Sequence, residues 1–511
     1  MAALWELVGR DYLFTALAAV ILLSYVVGGA IYRLYFSPLS KFPGPKLAAV
    51  TLWYEFYYDV IKKGQYTFEI GRMHEKYGPI VRISPYELHV NDPEYYEELY
   101  SRSSPRDKYP YYTRQFGNPE STFSTVDHHH HRLRRGAMNP FFSKRRIGGL
   151  EEMISSMVEK LCIRIEEFRK SGQPIPMRLA YMCLTTDVIT KYSMARSWDH
   201  LESPDFSPTW CETIKATAGV GHFMKHFPWL FPVIRALPDR LVAVLNPGML
   251  LLLDFQRSIE RQIKEIMNRK GEDEQHYLVD GQPTIFHELL NSDLPPWEKS
   301  LERLWQEGQV VVGAGADTTA NALSVTTFHL LDNPDKLQRL KSELATLMPD
   351  PYSPVKLREL AQLPYMSAIL SEGLRLSYGV SSRLQRIAPA EELKFHDWTI
   401  PPGTPVGMTS VLMHHNPSIF PNPDTFLPER WLEPAPDNRP LDRYLVSFTK
   451  GSRQCIGINL ARAEMYLAIA TVFRRFDMQL FETTRSDVDL KHDLFLPQPR
   501  LDSKGLRVLL K

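Results

Sequence analysis

The chain has 511 residues, of which 44% are hydrophobic and 23% are charged, and its formal net charge is +1. This balance is typical of a folded globular protein, and without a basic excess the sequence gives no support to nucleic-acid binding. The four cysteines, Cys162, Cys183, Cys211 and Cys455, are too few and too far apart for a disulfide framework or a CxxC zinc site. Such sparse cysteines are typical of a chain that lies in, or faces, a reducing compartment.

An apolar segment without a charged residue extends from residue 12 to residue 32. Because about 20 helical residues cross the roughly 30 Å of a bilayer core, we predict one N-terminal transmembrane helix, an anchor over residues 1–35. A cleaved signal peptide is the alternative, since the small residues at 28–30 resemble a cleavage site. The cations that follow the segment predict a cytosolic body of the protein; they are Arg33, Lys41 and Lys46.

The body of the chain, residues 36–511, begins at the proline-rich elbow 41–46. Alternating residues at 80–91 predict a hairpin that turns at Ser84 and Pro85. Apolar residues at helical spacing predict helices at 153–170, 258–269, 336–348 and 366–376. Strand-like pieces return at 384–387, 394–395, 399–400 and 405–408. We therefore predict one large domain that is mainly α with a small β region.

Two stretches fit neither a regular helix nor a strand. The polar stretch 271–282 predicts an exposed loop. The segment 222–241 carries four aromatic residues and three prolines, so it is too interrupted to span a membrane. Its apolar side chains fit either a surface that dips into the bilayer interface or ordinary packing in the core.

Cys455 lies in the segment FTKGSRQCIG, which is rich in glycine and cations. A thiolate is a strong ligand for a soft metal, and the helix predicted to start at residue 458 favours an anionic sulfur at its N-terminus. Gly451 and Gly457 allow a tight turn and the close approach of a flat ligand. Arg453 is placed to meet an acidic group of that ligand, and Phe448 to pack beneath it. A buried, inert cysteine is the alternative interpretation.

A long helix is predicted over residues 301–331, ended by Asn333 and Pro334. Each glycine inside a helix costs about 1 kcal/mol relative to alanine, and this helix carries three, Gly308, Gly313 and Gly315. We interpret them as giving a large flat ligand access to the backbone and as allowing a local bulge. Asp317 and Thr318 then place an acid and a hydroxyl beside that surface.

Phe448, Gly451, Arg453, Cys455 and Gly457 match the haem-binding signature of the cytochrome P450 monooxygenases, and the body of the chain resembles this family. Three further family motifs precede the signature in order, namely AGADTT, EGLR and FLPERW. The stretches SPLSKFPGPKLAA and VVVGAGADTTANAL are similar to fungal secondary-metabolite members, including trichodiene oxygenase. The resemblance implies the cytochrome P450 fold and a haem b cofactor with Cys455 as the axial ligand of its iron.

The resemblance assigns roles on the long helix. In the family, the alcohol of the acid–alcohol pair stabilises bound O2, and the acid belongs to the path that delivers protons to it. These roles correspond to Thr318 and Asp317, and Ala314 would lie against the haem.

The motif EGLR places Glu372 and Arg375 three residues apart, on one face of a helix. Such pairs are usually solvated surface contacts worth less than about 1 kcal/mol. The resemblance implies instead a buried structural network, in which Arg430 of FLPERW is the third member.

The resemblance also implies partners for the haem propionates, namely His131, Arg135 and Arg383. The family most often has tryptophan at the position of His131, and an imidazole N–H can replace the indole N–H as a donor. The four consecutive histidines 128–131 also permit a metal site. Neighbouring residues on a helix point in different directions, however, so few of these side chains converge.

The function implied is insertion of one atom of O2 into a lipophilic small molecule, a terpenoid or polyketide secondary metabolite. Electrons would come from NADPH through a separate NADPH–cytochrome P450 reductase, since the chain has no nicotinamide-binding fingerprint of its own. We expect a single-pass protein of the endoplasmic reticulum membrane whose catalytic domain faces the cytosol.

The substrate-facing residues carried over from the fold are Phe116, Val310, Val380, Ser381, Phe495 and Leu496. Core packing predicts the same apolar residues. Two alternative functions remain for this sequence: an oxygen-independent haem-thiolate isomerase or dehydratase, and a non-catalytic, membrane-tethered haem carrier. The acid–alcohol pair Asp317–Thr318 argues against both, because neither function needs protons delivered to O2.

Overall fold

The computed structural model describes residues 2–268, 278–433 and 440–511, with side chains from residue 13 onward. Its α-helices are α1 Ala2–Ile31, α2 Lys46–Val50, α3 Trp53–Phe56, α4 Tyr66–Tyr77, α5 Tyr96–Leu99, α6 Pro110–Thr113, α7 His128–Met138, α8 Lys144–Gly148, α9 Glu151–Ser171, α10 Met177–Met194, α11 Pro208–His226, α12 Leu230–Ala236, α13 Asp239–Leu245, α14 Pro247–Asn268, α15 Ile285–Asn291, α16 Leu301–Asp332, α17 Pro334–Leu347, α18 Leu357–Leu360, α19 Pro364–Ser377, α20 Ser410–His414 and α21 Ile458–Arg475.

The β-strands are short: β1 Ile80–Arg82, β2 Leu88–Val90, β3 Leu278–Val279, β4 Gln282–Pro283, β5 Arg386–Ile387, β6 Leu393–Phe395, β7 Trp398–Ile400, β8 Pro405–Gly407, β9 Met478–Leu480, β10 His492–Leu494, β11 Leu496–Gln498 and β12 Val508–Leu510. A four-stranded sheet has the order β1-β2-β8-β5, in which only the β2–β8 pairing is parallel. Two-stranded antiparallel pairs join β3 to β4, β6 to β7, β9 to β12 and β10 to β11. The prediction of a mainly α fold with a small β region is confirmed.

Helix α16 runs through the interior and packs against α10, α14, α19 and α21. Two of its glycines allow neighbouring helices to pack closely against it. A Cβ atom added at Gly308 would lie 2.7 Å from Ile259 Cγ2 on α14, and one added at Gly315 would lie 2.8 Å from Ile189 Cγ1 on α10. Gly313 has open space beside it. The predicted bulge is wrong, because α16 is α-helical along its whole length.

The other predicted elements correspond to observed ones. The helices predicted at 153–170, 258–269, 336–348 and 366–376 correspond to α9, α14, α17 and α19, and the hairpin predicted at 80–91 is β1–β2. Of the predicted loop 271–282, residues 271–277 lie outside the described residues, and the prediction is wrong for residues 278–282, which belong to the β3–β4 hairpin. Tertiary packing extends α14 back to Pro247, well before its predicted start.

The proline-rich elbow is fixed against the four-stranded sheet. The N–H of Arg82 in β1 donates to the carbonyl oxygen of Pro43 at 2.7 Å. A Cβ atom at Gly44 would lie 2.4 Å from the carbonyl oxygen of Arg82, so a side chain cannot fit there. The elbow is therefore part of the folded body.

The apolar stretch Leu13–Phe36, which comprises most of α1 and the turn after it, is long and apolar enough to cross a membrane, and none of it is buried. The segment 222–241 forms the end of α11, then α12 and the start of α13. Within it, Phe231 is buried, whereas Trp229 is 63% exposed and Val233 is 48% exposed. Core packing therefore accounts for Phe231, and contact of the exposed side chains with the bilayer interface stays a prediction.

Candidate active site

A large cavity lies between α16, the Cys455 loop and the β10–β11 hairpin, and contains about 2050 Å³ of space not filled by protein atoms, part of it open to solvent. Thirteen of the predicted site residues line it: Phe116, His131, Arg135, Val310, Ala314, Thr318, Val380, Phe448, Arg453, Cys455, Gly457, Phe495 and Leu496. Residues far apart in the sequence therefore meet around one space.

Cys455 lines the cavity and is exposed, whereas the other three cysteines are buried. Its N–H donates to the carbonyl oxygen of Phe448 at 2.9 Å, which closes the loop before α21. The thiol is open only to the cavity and is otherwise enclosed by protein, and this burial raises its pKa, while a hydrogen bond from the backbone of Gly457 and the charge of Arg135 oppose that increase. The loop and α7 therefore each supply one group that favours a thiolate.

The two signature glycines serve different purposes. Gly451 has φ +77°, and a Cβ atom there would lie 2.2 Å from the carbonyl oxygen of Tyr100. It allows the turn against a neighbouring loop but does not line the cavity. Gly457 lines the cavity, and a Cβ atom there would lie 4.0 Å from the Cys455 sulfur. Of the two glycines, Gly457 is therefore the one that could allow a flat ligand to approach the backbone closely.

Four cations line one end of the cavity: Lys108, Arg135, Arg386 and Arg453. We call them the cation cluster. Burial and then the charge of Arg386 lower the pKa of Arg453 to about 9, and burial and neighbouring arginines lower the pKa of Lys108. Among the described residues the hydrogen bonds of these four side chains go to carbonyl and amide oxygens rather than to a carboxylate, and Nε of Arg453 has no hydrogen-bond partner. This excess of buried positive charge fits a ligand that carries carboxylates.

His131 lies beside the cation cluster and is 3% exposed. Burial, followed by repulsion from Arg453 and Lys108, lowers its pKa to about 2, so its ring is neutral. Its Nδ1 has no partner in the described part of the chain. The other histidines of the run point elsewhere, since His128 Nδ1 accepts from the N–H of Arg106 at 3.3 Å and His130 pairs with Glu298. No three metal-ligating side chains converge there among the described residues.

The prediction for Arg383 is wrong. Its Nη2 donates to Glu55 Oε1 at 2.7 Å and its Nε to Glu87 Oε1 at 2.8 Å, and it does not line the cavity. Arg386, three residues later, lines the cavity instead. In an extended chain, residues an odd number apart point to opposite faces. Arg383 and Arg386 are three residues apart, so this spacing could have shown that only one of them faces the ligand.

Asp317 and Thr318 face different surroundings. Thr318 lines the cavity, and its Oγ1 donates to the carbonyl oxygen of Ala314 at 2.8 Å. Asp317 is 2% exposed, does not line the cavity, and forms an ion pair with Arg178 of α10. The alcohol is thus at the site, and the acid is one residue behind it, paired to a cation.

Glu372 and Arg375 form a buried bidentate pair, with Nε–Oε2 at 2.9 Å and Nη2–Oε1 at 2.8 Å. Arg430 Nε joins Glu372 Oε1 at 3.2 Å, and Trp431 Nε1, which the sequence analysis missed, donates to Oε2 at 2.9 Å. Arg375 also donates to the carbonyl oxygen of His414 at 2.9 Å.

This network reaches the cysteine loop. His414 Nδ1 contacts the Arg375 carbonyl oxygen at 2.8 Å, and its Nε2 accepts from the N–H of Val446 at 3.0 Å, just before the loop begins. The network therefore connects α19 to the segment that leads to Cys455, and it lies outside the cavity.

The prediction that Ser381 faces the substrate is wrong, because it is buried outside the cavity and its Oγ donates to Asp493 Oδ1 at 2.8 Å. Apart from members of the cation cluster, the cavity residues missed include Phe123, Phe255, Gln309 and Glu464. Helical spacing could have indicated Gln309, which lies on the face of α16 that carries Val310 and Gly313.

The fold and the cysteine-lined cavity define a haem-thiolate oxidoreductase. The sequence matches the family described as Cytochrome P450 over residues 43–504, and the chain belongs to this family. A curated relative, Cytochrome P450 monooxygenase MO6277 of Ascocoryne sarcoides, is 55% identical over 96% of this chain and 97% of its own. The chain is therefore a monooxygenase, and membership implies a haem-thiolate cofactor and a redox partner in general.

Other relatives are named for their substrates. Tryptophan 6-hydroxylase fscE of Fusarium equiseti is 47% identical over 94% of each chain, and N-acetyltryptophan 6-hydroxylase ivoC of Emericella nidulans is 42% identical over 97% of each. A crystal structure of a cytochrome P450 (CYP102L1) shares the fold, with a TM-score of 0.69 at 17% identity over 87% of this chain and 94% of that one. The resemblance to fungal secondary-metabolite members is confirmed.

Proposed function

We propose that this chain is a membrane-anchored monooxygenase that holds haem b with Cys455 as the axial ligand and oxidises a lipophilic small molecule. The observation that carries the proposal is the cavity in which Cys455, the cation cluster and Thr318 meet. Bound haem supplies the activation of O2 that inserts one oxygen atom into a carbon–hydrogen bond.

The cation cluster and His131 would hold the two propionates of the haem. Buried carboxylates next to guanidinium and ammonium groups form strong charge-assisted hydrogen bonds. Those bonds would also offset the burial and the mutual repulsion that lower the pKa of Arg453 and Lys108. Neutral His131 adds one N–H donor.

Bound iron would hold the sulfur of Cys455 as a thiolate, and groups of the protein would assist it. The backbone N–H of Gly457, the charge of Arg135 and the N-terminus of α21 all favour a thiolate at Cys455. The network of Glu372, Arg375 and Arg430 fixes the segment before the loop without touching the ligand.

Protons reach the site through Asp317 and Thr318. The side chain of Arg178 is 12% exposed, so its ion pair links the buried carboxylate of Asp317 to a partly exposed cation of α10. Thr318 holds a hydroxyl proton on the cavity side of the same helix turn. An oxygen-independent isomerase or a haem carrier would have no use for this pair.

We further propose an anchor over residues 1–35 and a catalytic domain over 36–511, in the endoplasmic reticulum membrane with the domain in the cytosol. The unburied apolar helix supports this proposal. Exposed Trp229 and Val233 would contact the bilayer interface.

NADPH–cytochrome P450 reductase would supply electrons from the cysteine side. Arg453 is buried there and Lys450 pairs with Glu97 at 2.6 Å, so neither is free for a partner. Exposed cations of α7, α8 and α21 fit an acidic reductase surface better; they are Arg132, Lys144, Arg145 and Arg462.

The substrate is proposed to be a terpenoid or polyketide secondary metabolite, since the wall opposite the cysteine is mostly apolar. A second candidate is a substrate with a flat aromatic ring. The names of the two hydroxylase relatives and the ring-rich wall, with Phe116, Phe123, Phe255 and Phe495, favour it.

The test is the carbon monoxide difference spectrum of the reduced, full-length protein in membranes, followed by turnover assays. We expect the red-shifted Soret band of thiolate ligation and product formation that needs both NADPH and O2. A band typical of histidine ligation would contradict the role of Cys455, and turnover without NADPH would favour the oxygen-independent alternative.

A further inference from the structure

The turn of the β10–β11 hairpin consists of one residue. Leu494 pairs with Leu496, and Phe495 alone joins them. Phe495 has φ +71°, in the left-handed region that residues with a side chain rarely adopt. Such a conformation persists only where several independent contacts with the surrounding structure hold it in place.

The carboxylate of Asp493 fixes this turn. Its Oδ1 accepts the backbone N–H of Phe495 at 3.0 Å. The same oxygen accepts the hydroxyls of Ser381 at 2.8 Å and Ser382 at 2.6 Å, and Oδ2 accepts the hydroxyl of Thr67. Asp493 is 1% exposed, and this donor set surrounds its carboxylate with neutral groups.

The backbone of the hairpin is held as well. The N–H of Ser381 donates to the carbonyl oxygen of Phe495 at 3.1 Å, and His222 Nε2 lies 2.7 Å from the carbonyl oxygen of Asp493. The N–H of Asp493 donates to the carbonyl oxygen of Gly64 at 2.9 Å. Three separate segments of the chain, residues 64–67, 222 and 381–382, therefore hold the three residues 493–495 that carry this aromatic ring.

That ring forms part of the cavity. The centroid of Phe495 lies 5.0 Å from that of Phe116 at an interplanar angle of 73°, and 5.8 Å from that of Phe123 at 83°. Both contacts are edge-to-face, and all three rings line the cavity. We call Phe116, Phe123 and Phe495 the aromatic wall. Its geometry depends on the left-handed turn, since a relaxed backbone would point the Phe495 ring elsewhere.

We propose that Asp493 is a positioning residue for substrate specificity, which holds Phe495 in the aromatic wall so that the site selects ligands with a flat aromatic ring. This inference rests on the proposed function, because the wall acts on ligands held near the haem. Asp493 itself does not line the cavity, so its effect passes through Phe495.

The experiment compares two haem ligands in the haem-loaded, full-length protein by their Soret shifts. Imidazole and 4-phenylimidazole bind iron through the same type of nitrogen, and they differ in the phenyl ring that must fit against the wall. We expect Asp493→Ala to raise the Kd of 4-phenylimidazole by about tenfold, the size of effect of a lost aromatic contact. The Kd of imidazole should change by no more than about twofold.

Further variants separate positioning from general damage. Phe495→Ala should show the same selective loss, and the double variant no additional loss. Asp493→Asn keeps the oxygen that accepts the Phe495 N–H and should restore most of the selectivity. The matched control is Asp487→Ala, which removes another buried carboxylate, bonded to Ser503 at 2.8 Å and Arg500 at 2.9 Å but outside the cavity, and should leave the ratio unchanged.

If Asp493→Ala fails to fold, the double variant of Ser381 and Ser382 to alanine removes two donors, keeps the carboxylate, and should show the same selective loss. An unchanged ratio in the folded variants, equal weakening of both ligands, or additive losses in the Asp493–Phe495 double variant would overturn the inference. A wild-type protein without haem would instead overturn the proposed function, and with it the basis of this inference.

Discussion

The cysteine side and the distal side of the cavity are held by different interactions. On the cysteine side, charged and hydrogen-bonded groups surround the site, with the cation cluster at one end and the buried pair of Glu372 and Arg375 behind the loop. On the distal side, ring contacts such as that of Phe116 with Phe495 and the apolar face of α16 form the wall.

This difference has a physical consequence. A buried charge or hydrogen-bond network loses most of its stability when one member is removed, because the remaining groups stay buried and unpaired. Apolar and aromatic contacts fail gradually and can repack. Loss of the cysteine or of one member of a buried ion pair should therefore have the largest effects, and changes on the distal side should alter selectivity and coupling.

The largest effect is expected for Cys455→Ala. Loss of the thiolate should abolish the red-shifted carbon monoxide band and NADPH-dependent turnover, since no other cysteine among the described residues is exposed. The matched control is Cys211→Ala, at a buried cysteine, which should keep the band. A normal spectrum in Cys455→Ala would contradict the ligand assignment.

Alanine variants of the two arginines of SSRLQR should affect different properties, namely the stability of the fold for Arg383 and the retention of haem for Arg386. Arg383→Ala leaves Glu87 buried without a paired cation and Glu55 with Lys225 alone, and should lower the free energy of unfolding by about 3–5 kcal/mol. Arg386→Ala should leave stability nearly unchanged but release haem to apomyoglobin about tenfold faster, as expected for a lost charge-assisted bond. The opposite assignment of the two effects would restore the original prediction for Arg383.

Thr318→Ala should uncouple the reaction. Without the hydroxyl that lines the cavity, product per NADPH should fall by about 10²-fold, at the lower end for loss of a proton-transfer group, with more peroxide released. Thr318→Ser keeps a hydroxyl and should retain most of the coupling. Equal coupling in the alanine and serine variants would show that this hydroxyl is not needed.

The smallest effect concerns Glu464, a cavity residue of α21 that is 2% exposed. Burial raises its pKa well above the usual range, so the folded state binds more protons than the unfolded state above about pH 4.3. The free energy of unfolding therefore falls as pH rises past that value. Glu464→Gln should remove this decline, so its Tm should match wild type near pH 4 and exceed it at pH 8.

The control for that titration is Glu265→Gln, at an exposed glutamate of α14, which should follow wild type at every pH. A Glu464→Gln variant whose Tm difference from wild type does not change with pH would show that Glu464 stays ionised in the folded protein.

Local chemistry made several features predictable. The loop around Cys455 is short and contiguous, so its turn, its thiolate and the helix after it follow from residue types and spacing. The helices follow from apolar periodicity, and the small β region from alternation. The apolar stretch at the N-terminus likewise indicates its own helix.

By itself, the sequence determined the family and the mainly α fold, and it indicated that Cys455 and the helix α16 line the site. Only the tertiary structure decided that Arg386 rather than Arg383 lines the cavity, that Asp317 pairs with Arg178, and that Ser381 supports a hairpin. A side chain's direction depends on which distant groups satisfy its charge or hydrogen bonds, and that choice is made by segments hundreds of residues away, such as Glu87 for Arg383.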